Sequence, residues 1–196
     1  MHFSTRASVA VTCASAVLID IVPLRALLPA TAAAICDTLL GHGLLSAILW
    51  GVSSRASSRE LLLIGALGVS LDVDHFIAAR SLRPSHALAL TERPFGHALL
   101  FVIASTALAA CCAAIAPRLV PATAPLAVAV AWGTHLLRDA TKRGFWLWPL
   151  RVHTPPVPYA LYLAVIALEN IALSRFFKGA AGYGASASAA SSPEHV

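Results

Sequence analysis

"GVSLDVDHFIAARS", Gly68 to Ser81, sets Asp72, Asp74 and His75 at the end of a run apolar enough for the interior of a bilayer. Ionisable side chains are costly in hydrocarbon, and those found within membrane spans face a bundle interior or a water-filled cavity. The stretch therefore raises two expectations. The chain is an all-α, polytopic membrane helix bundle, and the inside of that bundle makes use of acids and an imidazole.

The rest of the chain agrees with the first expectation. Of its 196 residues 58% are hydrophobic and 12% charged, with a mean hydropathy of +0.77, far from the makeup of a soluble domain. At about 20 apolar residues per crossing, about six spans fit: Ala7 to Leu28, Thr31 to Val52, Glu60 to Ala79, Pro94 to Ala116, Leu119 to Ala140 and Val157 to Phe177. The first carries Asp20 and Pro23 in its second half, and reads as an uncleaved helix in preference to a signal peptide. Residues 1–178 form the multi-pass membrane domain. The remainder, 179–196, "GAAGYGASASAASSPEHV", has too little apolar bulk to offset ordering and is predicted to be a disordered tail.

The net charge of +5 comes from arginines scattered singly between apolar runs, which gives no stripe for nucleic acid and leaves the lipid bilayer as the expected partner. Cys13, Cys36, Cys111 and Cys112 lack the paired spacing of a zinc or redox site and read as small buried hydrophobes.

Threading six helices places the ends of helices one, three and five on one side of the membrane, where two, four and six begin. Asp72, Asp74 and His75 then lie near that side, as do Arg93 and His97 at the start of helix four, and His135 and Asp139 at the end of helix five. His42 is close to the start of helix two. On ideal helices His135 and Asp139 share a face, as do Arg93 and His97, and Asp72 and His75. Asp74 points elsewhere unless the backbone unwinds there.

Neutral imidazoles and carboxylates are the mixed ligands of a divalent metal ion such as zinc, manganese or iron. His42, Asp72, His75, His97, His135 and Asp139 are the candidate ligands, supplied directly or through an orienting hydrogen bond. Arg93 is the candidate to hold an anion, and Asp74 to act as a base or to orient a ligand. A bound divalent ion brings the pKa of its water towards about 7, which makes the expected reaction hydrolysis of a lipid-like ester or phosphoester. The same residues also allow a non-catalytic bundle held by buried polar pairs, or an ion carrier. "LRDATKRGFWLWPLRVHTPPVPY", Leu137 to Tyr159, reads as an interfacial aromatic belt with positive flanks, or as the lip of a substrate site.

The ordered set "DVDHFIAARS", "RPFGH", "WGTHLLRDATKRGFWLWPL" and "TPPVPYALY", with His42 upstream, closely resembles the eukaryotic transmembrane protein 267 family over roughly Asp37 to Tyr162. More distantly it resembles the bacterial family of predicted membrane-bound, metal-dependent hydrolases. The pattern there is an early histidine, an acid-rich D-x-D-H, an arginine with a following histidine, and H-x-x-x-D before a glycine and a proline. Here these are His42; Asp72, Asp74 and His75; Arg93 and His97; His135 and Asp139; then Gly144 and Pro149. The resemblance implies a multi-pass membrane protein with a metal site, and the bacterial relatives imply hydrolysis.

Overall fold

A computed structural model describes residues 4–22, 24–54 and 56–190, with side chains at all of these except 24, 25 and 180–190. In chain order the helices are α1 (Thr5–Ile21), α2 (Leu24–Leu27), α3 (Ala30–Cys36), a π-helical stretch Asp37–Leu44, α4 (Leu45–Ser53), α5 (Ser58–Ser70), α6 (Val73–Ala78) and α7 (Pro84–Leu88). A 3₁₀ turn, Phe95–His97, precedes α8 (Leu99–Ile115) and α9 (Ala124–Arg143). A two-stranded hairpin, β1 (Trp146–Leu147) with β2 (Val152–His153), leads into α10 (Tyr159–Ala190). The protein is a helical membrane bundle. Ala30–Ser53, Ser58–Ala78 and Tyr159–Gly179 are long and apolar enough to cross a membrane, and Leu99–Ile115 is a shorter apolar helix.

Local chemistry sets several boundaries. Ser57 opens α5 through a reciprocal cap, its Oγ accepting from the Glu60 N–H while the Glu60 carboxylate accepts from the Ser57 N–H. α9 has a proline in its first turn and ends at Gly144, whose φ of 73° suits glycine. The first span is shorter than predicted: α1 ends at Ile21 and Val22 is extended, as expected for a residue preceding proline. Pro23 itself lies outside the described residues. At the other end, α10 continues past residue 178 to Ala190, along a stretch whose alanines favour helix. The end of the predicted tail, 191–196, lies outside the described residues.

α9 is the central helix. Leu137 joins Ala16, Leu45, Tyr162 and Ile166; Val130 joins Leu49, Trp50, Ile64 and Leu173; and Leu136 joins Leu71 and Val102. A helix enclosed on most sides can turn polar residues inward, and this explains why α9 carries Thr134, His135 and Arg138 fully buried. The cysteines correct a sequence expectation: Cys111 is exposed and Cys13, Cys36 and Cys112 are only partly covered. Lipid tails are as apolar as a protein core, so an apolar sequence context does not by itself mean burial.

Without a hydrophobic drive between helices in lipid, close packing of small residues holds spans together. The π-helical stretch and α5 meet this way. A Cβ on Gly68 would lie 2.6 Å from the His42 carbonyl oxygen, and one on Gly43 3.2 Å from the Gly65 oxygen. Gly68→Val is therefore expected to force the two backbones apart and to lose about 1–3 kcal/mol, as overpacking does. A thermal melt in detergent reads this, and an unchanged midpoint would contradict the close approach.

Candidate metal centre

Three interruptions of regular helix bring the polar residues together. The first is the π-helical stretch, whose wider turns carry His42; such insertions are frequent at functional sites. The second lies between α5 and α6, where the Asp72, Asp74 and His75 N–H groups bond three residues back, to Val69, Leu71 and Asp72. The backbone does not unwind there but tightens into 3₁₀-type turns, and this change of step lets Asp72 and Asp74 both reach His97. The third precedes α8. Arg93 and His97 do not share a helical face as predicted, because Pro94 and Ala98 are extended and only Phe95–His97 turns between them. Proline lacks the donor a helix needs and biases its predecessor to extended backbone.

The structure nevertheless joins Arg93 and His97 through a shared acid. Arg93 Nη2 donates to Asp139 Oδ2 at 2.9 Å, and that oxygen lies 4.0 Å from His97 Nε2. Arg93 Nη1 donates to the Gly144 carbonyl at 3.4 Å, so the guanidinium that was expected to hold an anion spends two donors on the protein. Burial pushes the Arg93 pKa down and the Asp139 carboxylate pushes it back up. The charge persists, since arginine does not deprotonate in proteins.

His97 and His135 form the centre, 1% and 0% exposed. His97 Nδ1 lies 3.1 Å from Asp74 Oδ2, and His135 Nδ1 2.8 Å from the Gly68 carbonyl oxygen. A carboxylate oxygen and a carbonyl accept, which assigns the Nδ1 proton to both rings; a ring that carries only that proton leaves its Nε2 as a lone pair. Those Nε2 atoms are 3.2 Å apart, and Asp72 Oδ1 is 3.5 Å from each. Asp72 is steadied by Thr38, whose hydroxyl donates to Oδ2 at 2.7 Å. Gly96 makes room for Asp74: a Cβ there would lie 2.5 Å from Asp74 Oδ2.

Two groups of three have ligand atoms within 4.8 Å of one another: Asp72, His75 and His97, and His42, His135 and Asp139. His42 stacks on His135 with ring centroids 3.5 Å apart, and His75 meets His97 edge to face at 4.8 Å. His42 Nε2 is 3.7 Å from Asp139 Oδ1, and among the described residues its Nδ1 has no hydrogen-bond partner. All six predicted ligands, with Asp74 and Arg93 beside them, thus gather in one place.

The donor set fits a divalent ion. A triangle of two imidazole nitrogens and one carboxylate oxygen with edges of 3.2, 3.5 and 3.5 Å has room for an atom about 2.0 Å from each corner, the length of zinc bonds to nitrogen and oxygen. Orienting acceptors behind both histidines are the usual companions of metal-binding imidazoles.

Sequence reasoning missed Gly68 and Arg138. The role of Gly68 rests on its carbonyl, which has no signal in residue type. Arg138, expected to flank the membrane, is 3% exposed. It donates through Nε to Asp20 Oδ1 at 2.8 Å and through Nη2 to Asp37 Oδ1 at 2.7 Å. Its neighbours Asp139 and His135 were recognised, but an i, i+4 pattern on one helix reveals nothing about acids on two others.

Comparison with known proteins places these residues in a family. The chain is similar to proteins named Transmembrane protein 267: 33% identical over 144 residues to that of Mus musculus, covering 70% of this chain and 66% of that protein. It is 31% identical to that of Bos taurus and 30% to that of Xenopus laevis, covering 61% and 62% of this chain and 55% and 56% of theirs. The chain therefore spans between about half and two thirds of the length of these relatives. No solved structure matches. The model of the family described as YdjM inner membrane protein matches residues 36–192, a range that holds every residue of the histidine and aspartate cluster, and the chain belongs to that family.

Proposed function

We propose that the chain is a membrane-embedded, metal-dependent hydrolase acting on a lipid-like ester or phosphoester. The observation that carries this reading is the Asp72, His97 and His135 triangle. With both rings singly protonated at Nδ1, three lone-pair atoms face one point, 3.2 to 3.5 Å from one another. A proton there would satisfy one pair of atoms. A divalent cation satisfies all three.

Within this reading, Asp72, His97 and His135 hold the ion directly, with His75 beside His97, and with His42 and Asp139 on the far face of His135. The ion would act as a Lewis acid and acidify a water. Asp74 fixes the tautomer and ring plane of His97, the Gly68 carbonyl does the same for His135, Thr38 steadies Asp72, and Arg93 restrains Asp139. Burial of the two central histidines excludes bulk water and so strengthens each of these interactions.

The rival reading, a bundle merely held by polar pairs, has its own observations, and they lie elsewhere. Arg138 pairs with Asp20 and Asp37, Asn170 donates to Thr12 at 2.9 Å, and Trp132 donates to the Leu67 carbonyl at 2.9 Å. These contacts join helices, although Arg138 Nη1 and Asn170 Oδ1 keep no partner among the described residues. The Nδ1 atoms of His97 and His135 also join elements in this way, but their Nε2 atoms converge with Asp72 Oδ1 on one point, which joining helices does not require.

Elemental analysis of detergent-purified protein tests the proposal. Stoichiometric zinc, manganese or iron is expected in the wild type and is expected to be lost in Asp72→Ala, with the helical signal of that variant retained. A wild type without metal after growth and dialysis in each of these ions would leave the structural reading standing instead.

A further inference from the structure

Between the segment before α8 and the hairpin lies a cavity of about 980 Å³, the size of a small-molecule site. Arg93, Lys142, Arg143 and Arg151 stand on its wall with one acid, Glu92. Two of these cations are engaged, Arg93 by Asp139 at 2.9 Å and Lys142 by Asp37 at 3.3 Å. Arg143 and Arg151 have no ion-pair partner among the described residues, and Glu92 pairs with neither.

The hairpin that carries Arg151 is held firmly. The Phe145 N–H donates to Thr154 Oγ1 at 2.8 Å, the Thr154 N–H to the Phe145 carbonyl at 2.9 Å and the Val157 N–H to the Ala140 carbonyl at 2.9 Å, which ties both ends of the hairpin to the end of α9. Trp146 also bridges to Ala98, just before α8. In the turn Arg151 has a φ of 55°, a conformation that glycine adopts freely and other residues only at a cost. Turn geometry alone would favour glycine there. Residues kept in such a conformation cluster where ligands are gripped.

The place of the cavity along the chain selects the source of its ligand. α9 ends at Arg143, and Tyr159–Gly179, long and apolar enough to cross a membrane, begins just beyond the hairpin. The hairpin therefore lies where the chain leaves and re-enters the bilayer, the level of the headgroups, and Trp146 and Trp148 on the cavity wall suit that level. We propose that the cavity binds the phosphate group of an anionic membrane lipid, with Arg143 and Arg151 holding the phosphate oxygens. Guanidinium groups match phosphate in geometry as well as in charge, and two that lack an acid on the protein take the phosphate as their counter-charge. A choline headgroup is disfavoured, since its ammonium would meet the same cations. The assignment goes beyond the hydrolase reading and does not depend on it, because neither arginine belongs to the metal centre.

Chelator-treated protein in detergent is probed by native mass spectrometry with phosphatidic acid, phosphatidylcholine and inorganic phosphate. Phosphatidic acid is expected to be retained in preference to phosphatidylcholine and not to be displaced by inorganic phosphate at equal concentration. The double variant Arg143→Gln, Arg151→Gln is expected to weaken phosphatidic acid binding by roughly tenfold to a hundredfold, the value of one or two charge-assisted contacts. Its thermal midpoint should stay at the wild-type value, since both side chains are exposed. Arg80→Gln, Arg83→Gln removes the same charge from exposed positions outside the cavity, on the same side of the membrane by the threading of the spans. That variant is expected to bind within about twofold of the wild type. Equal weakening by the two double variants would overturn the site, because the lipid would then respond to surface charge in general. An Arg143→Gln, Arg151→Gln protein that binds like the wild type, equal retention of both lipids, or displacement by inorganic phosphate would overturn it as well. None of these outcomes touches the hydrolase reading, which stands or falls with stoichiometric metal.

Discussion

Arg138→Ala is expected to destabilise the bundle by about 3 kcal/mol, with a fall in thermal midpoint of roughly 6–12 °C for a chain of this size. The guanidinium bridges α1, the π-helical stretch and α9: Asp20 and Asp37 both accept from it, and Tyr159 from α10 donates to Asp20 at 3.0 Å. Removing one partner of a buried pair costs about 3–5 kcal/mol because the remaining charge is left uncompensated. The low end applies because the side chains of Asp20 and Asp37 are 18% and 29% exposed and so keep some solvent. The mechanism predicts its own rescue: adding Asp20→Asn and Asp37→Asn to Arg138→Ala removes the orphaned charges and should restore much of the midpoint. A triple variant as unstable as the single one would mean that the loss comes from packing of the arginine stem instead.

This network shows where sequence reading stops. The apolar runs and the spacing of polar residues were legible, because hydropathy depends only on composition within a window of about 20 residues. Six expected spans correspond to α1, the α3–α4 segment, the α5–α6 segment, α8, α9 and α10. The convergence of His42, Asp72, His97, His135 and Asp139 was also legible, since helices that alternate direction bring their ends to the same side. What escaped were departures from the ideal 100° step, namely the π-helical stretch, the turn at Asp72 and the 3₁₀ turn at His97. An i, i+4 argument placed Arg93 beside His97 on a helix; the two meet instead across Asp139, a contact spanning 46 residues. No local pattern encodes a pairing of that range.

His135→Ala and Asp74→Asn separate the group that holds an ion from the group that only aims it. His135 presents Nε2 to both Asp72 and His97, is anchored by the Gly68 carbonyl and supports the His42 ring. Its loss removes one corner of the triangle and the backing of a second imidazole, so metal affinity should fall beyond the roughly 10–100-fold that loss of an outer hydrogen-bonding partner costs. Asp74→Asn keeps the shape but weakens the acceptor behind His97, so its fall should stay within that 10–100-fold range. Competition titrations with a chelator of known affinity on purified, folded protein measure both. Equal losses would place Asp74 among the direct ligands. An Asp74→Asn protein with wild-type affinity would mean that the 3.1 Å contact to His97 does not tune the imidazole, and the orienting role would then pass to the Gly68 carbonyl alone.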